Sequence, residues 1–383
     1  MKTTTLKHLE SKRPTTSAMN RLLLATVFAA LTASHLMAAT FPPTTINSTT
    51  WTKAGNPYII PTICTVPSGQ VLTIEPGVEV ILAPGAELNV QGRIIAGGSK
   101  SEHITFRGVS ASNYWNRVFI QGLGNGPSQL NYCDFSDASS ALFLYSNTET
   151  METEILNCTF LNCTDSAIHA EAAGFARQYS SGSPTVSPTI KNCLIQDCAS
   201  NGIEFAISGQ NYQGRVSSGS ANPIVQNNVL YNLGGFAFVF NHSGVYPGAS
   251  QPIVVNNSVS SADKGLWVRD PYDIVVKNNI IANCTTGIER FNASTLNQII
   301  HYNCLFNNGA DFVNYPAVYG LVIWTNANGD PADINFNIFA DPLFGDTNTL
   351  ALAVGSPCID RGIPPAPSWP VQEIPACSTE QLT

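Results

Sequence analysis

An all-β solenoid of stacked coils is the fold class that residues 131–308 predict, on three observations. First, a pair of small polar residues returns seven times: Tyr132-Cys133, Asn157-Cys158, Asn192-Cys193, Asn227-Asn228, Asn256-Asn257, Asn278-Asn279 and Asn303-Cys304. Second, four residues past each pair stands another turn residue: Asp137, Asn162, Asp197, Asn232, Ser261, Asn283 and Asn308. Third, a small residue and an aliphatic one then open a strand, as in Ala141-Leu142, Ala167-Ile168, Gly202-Ile203, Gly265-Leu266 and Gly287-Ile288. The pairs are spaced by 25, 35, 35, 29, 22 and 25 residues. A period in the twenties with loop-sized excesses is the signature of coils that stack to share one core.

The residue types fit that geometry. Neighbouring coils pair as parallel strands about 4.8 Å apart, with aliphatic side chains turned inward. Asn at a repeated bend tolerates left-handed backbone angles, and its amide can bond to the copies above and below. The expectation is that Asn157, Asn192, Asn227, Asn256, Asn278 and Asn303 form one column. This ladder, with its x-Gly-Ile/Leu strands, resembles the right-handed parallel β-helix proteins of the pectin-lyase-like superfamily. The resemblance covers most of the chain. It implies a right-handed, single-stranded parallel β-helix of roughly ten or eleven coils. It says little about function, because one scaffold hosts lyases, hydrolases, adhesins and inert surface repeats.

Along the chain, residues 1–39 read as an export signal: Met19-Asn20-Arg21, the apolar run Leu22–Leu31, then Ala38-Ala39. That run is short of the ~20 residues a membrane span needs, so the mature chain is expected to have none. Residues 40–57 form a Pro/Thr-rich lead-in, and alternating strands such as Val71–Val80 place the solenoid over 58–345. Residues 346–383, with Gly355-Ser356-Pro357-Cys358, read as a closing segment and Pro-rich tail. Losing the leader takes five basic residues and one acidic one, moving the formal net charge from −8 to −12. So acidic a chain is a poor partner for nucleic acid or anionic membrane. A monomer that is secreted, periplasmic or on the cell surface is expected.

Ten cysteines in an exported chain would ordinarily mean disulfides. Here Cys133, Cys158, Cys193 and Cys304 fall in the ladder column, and Cys163, Cys198 and Cys284 in a second one. Parallel side chains on stacked coils have the wrong torsion for a bridge, which favours buried thiols. Pairs such as Cys163–Cys198 are the alternative, and Cys358–Cys377 would pin the tail. No CxxC motif calls for structural zinc.

Alternation along the strands gives two outward columns. The first holds Phe143, His169, Glu204, Ala237, Trp267 and Glu289; the second holds Tyr145, Glu171, Ala206, Val239, Arg269 and Phe291. Glu171 and Glu204 are expected roughly 8 Å apart at Cα, suitable for an acid/base pair of glycoside hydrolysis. His169 would tune Glu204. Trp267, Tyr145, Phe143 and Tyr272 would offer flat faces to sugar rings. Insertions at 172–187, 207–222 and 241–251 fall after this same strand and carry aromatics such as Phe175, Tyr179, Tyr212 and Tyr246. The plain alternative is a solvated sheet face whose Glu and His are merely neighbours.

In the lyases that the chain resembles, a Lys or Arg abstracts a proton beside a uronate whose charge a cation neutralises. Lys264 and Arg269 are the candidates. Calcium is conceivable, with Asp263, Asp270 and Asp273 as its nearest cluster, but no metal ligand is assigned. The aspartate signature of polygalacturonases is missing. Arg290 falls in an inward column, so either the alignment slips or the stack ends there. Two functions therefore compete: a protein that binds, with or without cleaving, a polysaccharide or cell-surface glycan along one face, and a non-catalytic surface or adhesive repeat. Copper handling is disfavoured, since past residue 40 only Met151 and four scattered histidines could serve a soft metal.

Overall fold

Residues 39–122, 126–177, 181–244, 246–269, 272–292, 297–326, 329–359 and 362 are described by the computed structural model. The segment read as an export signal lies almost wholly outside them, as do Asp270, Tyr179 and Cys377. Three long parallel sheets run the length of a right-handed β-helix. Sheet I starts at Thr49–Trp51 and ends at Ile299–His301; sheet II runs from Tyr58–Ile60 to Cys304–Phe306; sheet III runs from Ile63–Val66 to Ala310–Val313. Each sheet takes every third strand of the solenoid path and has ten rungs along that path. Among the described residues no helix is long and apolar enough to cross a membrane.

The interior is built from like on like. Phe106, Phe135 and Phe160 stack across three coils at 4.8 and 5.0 Å with nearly parallel rings. Ile195, Leu230, Val259, Ile281 and Leu305 continue that column, each buried. Small residues open the sheet III strands because the bend passes close to this column. A Cβ on Gly265 would sit 2.3 Å from Ile281 Cγ2 and 2.6 Å from the Gly287 carbonyl.

The bend between sheets I and II corrects the expected ladder. Asn192 and Asn157 do both expected jobs, donating Nδ2 to Asn157 and Asn131 Oδ1 at 3.3 and 2.8 Å. From Asn227 onward the two jobs are divided between adjacent residues. The first residue of each pair takes the left-handed angles: Tyr132, Asn157, Asn192, Asn227, Asn256 and Asn278 have φ between 49° and 57°. The second points into the dry core and carries the ladder. Asn228, Asn257, Asn279, Asn303 and Asn337 are all buried, and each of the first four donates its Nδ2 to the next Oδ1 at 2.9–3.0 Å. The same Oδ1 atoms accept the backbone N–H of the residue one coil below, also at 2.9–3.0 Å. A second Nδ2 hydrogen goes to the carbonyls of Ile190, Val225, Val254, Val276 and Ile300.

Asn303 therefore stands over Asn279, not over Asn278, and Tyr302 takes the left-handed position at φ 60°. Cys304 leaves the ladder and pairs in register with Ile280. The seventh turn residue is likewise Asn307, at φ 52°, rather than Asn308. An eighth copy went unread: Phe336, at φ 59°, precedes Asn337 just as Tyr302 precedes Asn303. The column ends on the fully buried Asp333, whose carboxylate accepts from Asn337 Nδ2 and three backbone N–H groups.

Upstream, Cys133, Cys158 and Cys193 occupy the same column as thiols. They donate weakly to the carbonyls of Ala96, Leu130 and Ile155, as the amides do further along. All nine described cysteines are free. Burial pushes the Cys158 and Cys193 thiols well above their ordinary range.

The regular coils stop at Val313. Residues 314–335 leave the path, and Phe336–Ile338 rejoin it, with Ile338 bridging to Cys304. Arg290 is inward, in register with Val268, so no slip occurs there. Its guanidinium is satisfied by the Asn314 carbonyl and lies 4.7 Å from the Tyr315 ring centroid, closing the end of the stack.

Asn257→Leu removes the acceptor of two donors, takes one bond from the Val225 carbonyl, and leaves Asn279 Oδ1 with only the backbone N–H of residue 257. At about 1–3 kcal/mol per unsatisfied group, the loss should exceed ~3 kcal/mol. Asn256→Gly, which keeps the left-handed angles, should cost less than ~1 kcal/mol. Chemical denaturation followed by circular dichroism checks both; equal losses would contradict the division of labour.

Candidate functional site

Sheet III presents the outward face, and the strand register settles who stands beside whom. Phe119, Phe143, His169, Glu204, Val239, Trp267 and Glu289 form the first column. Tyr145, Glu171, Ala206, Asn241, Arg269 and Phe291 form the second. Val239 and Asn241 thus replace Ala237 and Val239 of the sequence alignment. Gly235-Phe236 mimics a small–aliphatic opener two residues early; Ala237-Phe238 is the real one, aligned with Gly202-Ile203 and Gly265-Leu266. The slip keeps the face of each residue and shifts its height along the strand.

Glu204 and His169 are neighbours, as expected. His169 Nδ1 lies 3.5 Å from Glu204 Oε2, which also accepts from Ser166 Oγ at 2.7 Å and Asn201 Nδ2 at 3.2 Å. Burial by itself would raise this carboxyl. The bonds from His169 and Ser166 overcome that, with help from the imidazole charge and Asn201, and hold it at about 2. A group so strongly committed to its anion is neither a proton donor at neutral pH nor an effective base. Ser166 and Asn201 were missed, although each directly precedes a strand opener, where a side chain can reach the next outward position.

The aromatics divide into two groups. Phe143 is face to face with His169, 4.4 Å between centroids, edge-on to Phe119, and covered by Arg117 at 4.7 Å. Its faces are therefore occupied by neighbours. Tyr145 stands at the strand end, with burial and then the Glu171 charge raising its hydroxyl. Tyr272 is completely buried, donating its hydroxyl to the Asn241 carbonyl at 2.7 Å and packing edge-on against Phe240. It has no face left for a ligand and is structural.

Trp267 is different. It lies between Phe236 (6.2 Å) and Phe291 (6.0 Å, edge-on), and Phe291 is 47% exposed. Two cations frame the trio. Lys264 pairs with Glu289 at 3.0 Å and lies 4.8 Å from the Phe236 ring; Arg269 lies 4.5 Å from the Phe291 ring and donates to the His242 carbonyl. Phe119, Arg117 and Phe236 were not singled out from sequence, though extending the first column one strand back from Phe143 would have found Phe119.

The described parts of the insertions are strand-built. Ile203–Tyr212 and Phe236–Gly244 lengthen two sheet III strands, and Arg215–Ser218 folds back on the first as a hairpin. Phe175–Ala176 pairs with Ser181–Gly182 alongside it. A small parallel sheet of Thr150–Met151, Thr185–Val186 and Ser220–Ala221 roots them. Together they raise a ridge along one edge of the face. Asp263, Asp270 and Asp273 form no described cluster: among the described residues no three His, Cys, Asp or Glu side chains converge to hold a metal ion.

Residues 189–338 match the family model described as a right handed beta helix region. No curated protein and no solved structure matches the chain.

Glu204 carries a testable pH signature. Its folded value lies below the ordinary 4.5, so its stabilisation is complete above that pH and is lost as the pH falls towards 2. Glu204→Gln should cost on the order of 2–3 kcal/mol at pH 7 and almost nothing near pH 2. Urea denaturation of both proteins across that range checks it; a pH-independent difference would contradict the buried-anion account.

Proposed function

We propose that this right-handed parallel β-helix is exported and binds a polysaccharide or cell-surface glycan along the sheet III face without cleaving it at Glu171 and Glu204. The observation that carries the reading is the Phe236–Trp267–Phe291 group, set on rigid strands with one ring half open to solvent. Aromatic faces with a framing cation suit the apolar faces and hydroxyl rims of sugar rings. The strand-built ridge beside it would limit how a chain lies across the face.

Binding without hydrolysis is favoured over the glycosidase reading because Glu204 is held as an anion by three neighbours. It is favoured over the lyase reading because Lys264 and Arg269 are both engaged with carboxylate, carbonyl or ring partners. Export rests on the leader-like composition of residues 1–39, and the resemblance to secreted β-helices agrees with it. His169 and Glu204 then serve to stiffen the face.

A glycan array of the chain from residue 40 should yield ligands. Trp267→Ala should weaken them about tenfold, on the order of 1–1.5 kcal/mol. Glu204→Gln should leave affinity within about twofold, and neither reducing ends nor unsaturated products should accumulate. No binding to any glycan would reject the reading, and turnover abolished by Glu204→Gln would restore the hydrolase.

A further inference from the structure

The C-terminal end of the solenoid brings together two thiols that the proposed glycan face does not use. Cys304 opens Cys304–Phe306, the last rung of sheet II, which has a full parallel neighbour on one side only. On its other side the returning chain makes a single bridge, Ile338 to Cys304. Two backbone bonds flank it: Leu305 N–H to the Ile338 carbonyl at 2.9 Å, and Ile338 N–H to the Asn303 carbonyl at 2.8 Å. An inner rung has an interface on both sides, so a terminal rung held this lightly opens first.

The closing segment packs onto the same spot. Cys304 Sγ donates to the Ala340 carbonyl at 3.2 Å. Two residues on, the Pro342 carbonyl accepts from Ser356 Oγ at 2.6 Å, and that Oγ accepts the Cys358 N–H at 3.1 Å. Cys358 is thereby set against the small apolar cluster of Ile280, Cys304, Ala332, Ile338 and Leu352. There its thiol meets that of Cys304, although it follows 54 positions later in the chain.

We infer that Cys304 and Cys358 are a disulfide-forming pair that, once oxidised, bolts the closing segment to the last coil. The other thiols that meet are poorer candidates. Cys163 and Cys198 face each other from adjacent coils, but each is only 1–2% exposed and their side chains run parallel. Cys358 sits on a turn outside the coil path and is only partly buried. Its side chain is not bound to run alongside that of Cys304, and a reagent can reach it.

The oxidant is a carrier disulfide. The Cys358 thiolate attacks one carrier sulfur, releasing a first carrier thiolate and leaving a mixed disulfide. Cys304 then gives its proton to solvent and attacks Cys358 Sγ, which breaks the mixed disulfide and expels the second carrier thiolate. Two protein thiols are oxidised, and one carrier disulfide is reduced to two thiols. The facing Cys358 thiol, and then burial, keep the Cys304 thiol well above its ordinary range, so Cys358 reacts first. An exported chain meets such carriers, and glutathione disulfide supplies the same chemistry in vitro.

The test oxidises the whole chain with glutathione disulfide, alkylates it in denaturant and digests it with chymotrypsin without reduction. Mass spectrometry should find the Cys304 peptide joined to the Cys358 peptide. Thermolysin should cut within residues 341–356 at least about fivefold more slowly than after reduction, and Cys358→Ala should be cut at the fast rate under both conditions. Both cysteines alkylated, or Cys358 joined to Cys377, would overturn the inference. So would a cleavage rate that reduction leaves unchanged. If Cys358→Ala does not fold, the unaltered chain with and without reductant decides alone.

Discussion

A backbone that bends inside a dry core must find partners for its N–H and C=O groups there, and this requirement governs the molecule. At the bend between sheets I and II, the strand ladders lapse and water is excluded. An inward amide answers both needs at once: Oδ1 takes an N–H and Nδ2 gives to a carbonyl of the coil below. Because an unmet buried polar group costs about 1–3 kcal/mol, each coil is locked to its neighbours at one height. That lock sets the register of all three sheets, and with it the order of side chains along the outward face.

The thiols show what the constraint tolerates. In the coils of Cys133, Cys158 and Cys193 the inward residue is smaller and only a weak donor, yet it points at the same row of carbonyls. Two of those coils add aromatic packing, with Phe135 and Phe160 stacked in line with Phe106 of the coil before. In that sheet II column the rings give way to aliphatics at Ile195, and the amide ladder takes over from Asn228. The exchange of one cohesive column for another follows the chain from its start to Asp333, the carboxylate that terminates the amides.

Much of this was legible in the sequence because period and residue type report the same physics. The spacing of Asn157, Asn192, Asn227 and Asn256 revealed the coils, and the Gly-Ile/Leu openers revealed which face of sheet III looks outward. What escaped was height rather than face. Tyr302 takes a left-handed angle that Asn usually occupies, so Asn303 was read one place early; Phe336 hid a further copy for the same reason. Gly235-Phe236 imitated an opener and displaced Val239 by two. The state of Glu204 could not be read at all, because it depends on Ser166 and Asn201, from two different coils, converging on one oxygen.

The face that results is acidic at Glu204 and aromatic at Trp267, with His169 paired to Glu204 and Lys264 to Glu289. A double-mutant cycle on Asn257→Ala and Asn279→Ala, read as unfolding free energy, tests the governing constraint most directly. If one amide column holds the coils in step, the two changes should be coupled by more than about 1 kcal/mol. Strictly additive losses would mean that each asparagine acts alone and that the register comes from elsewhere.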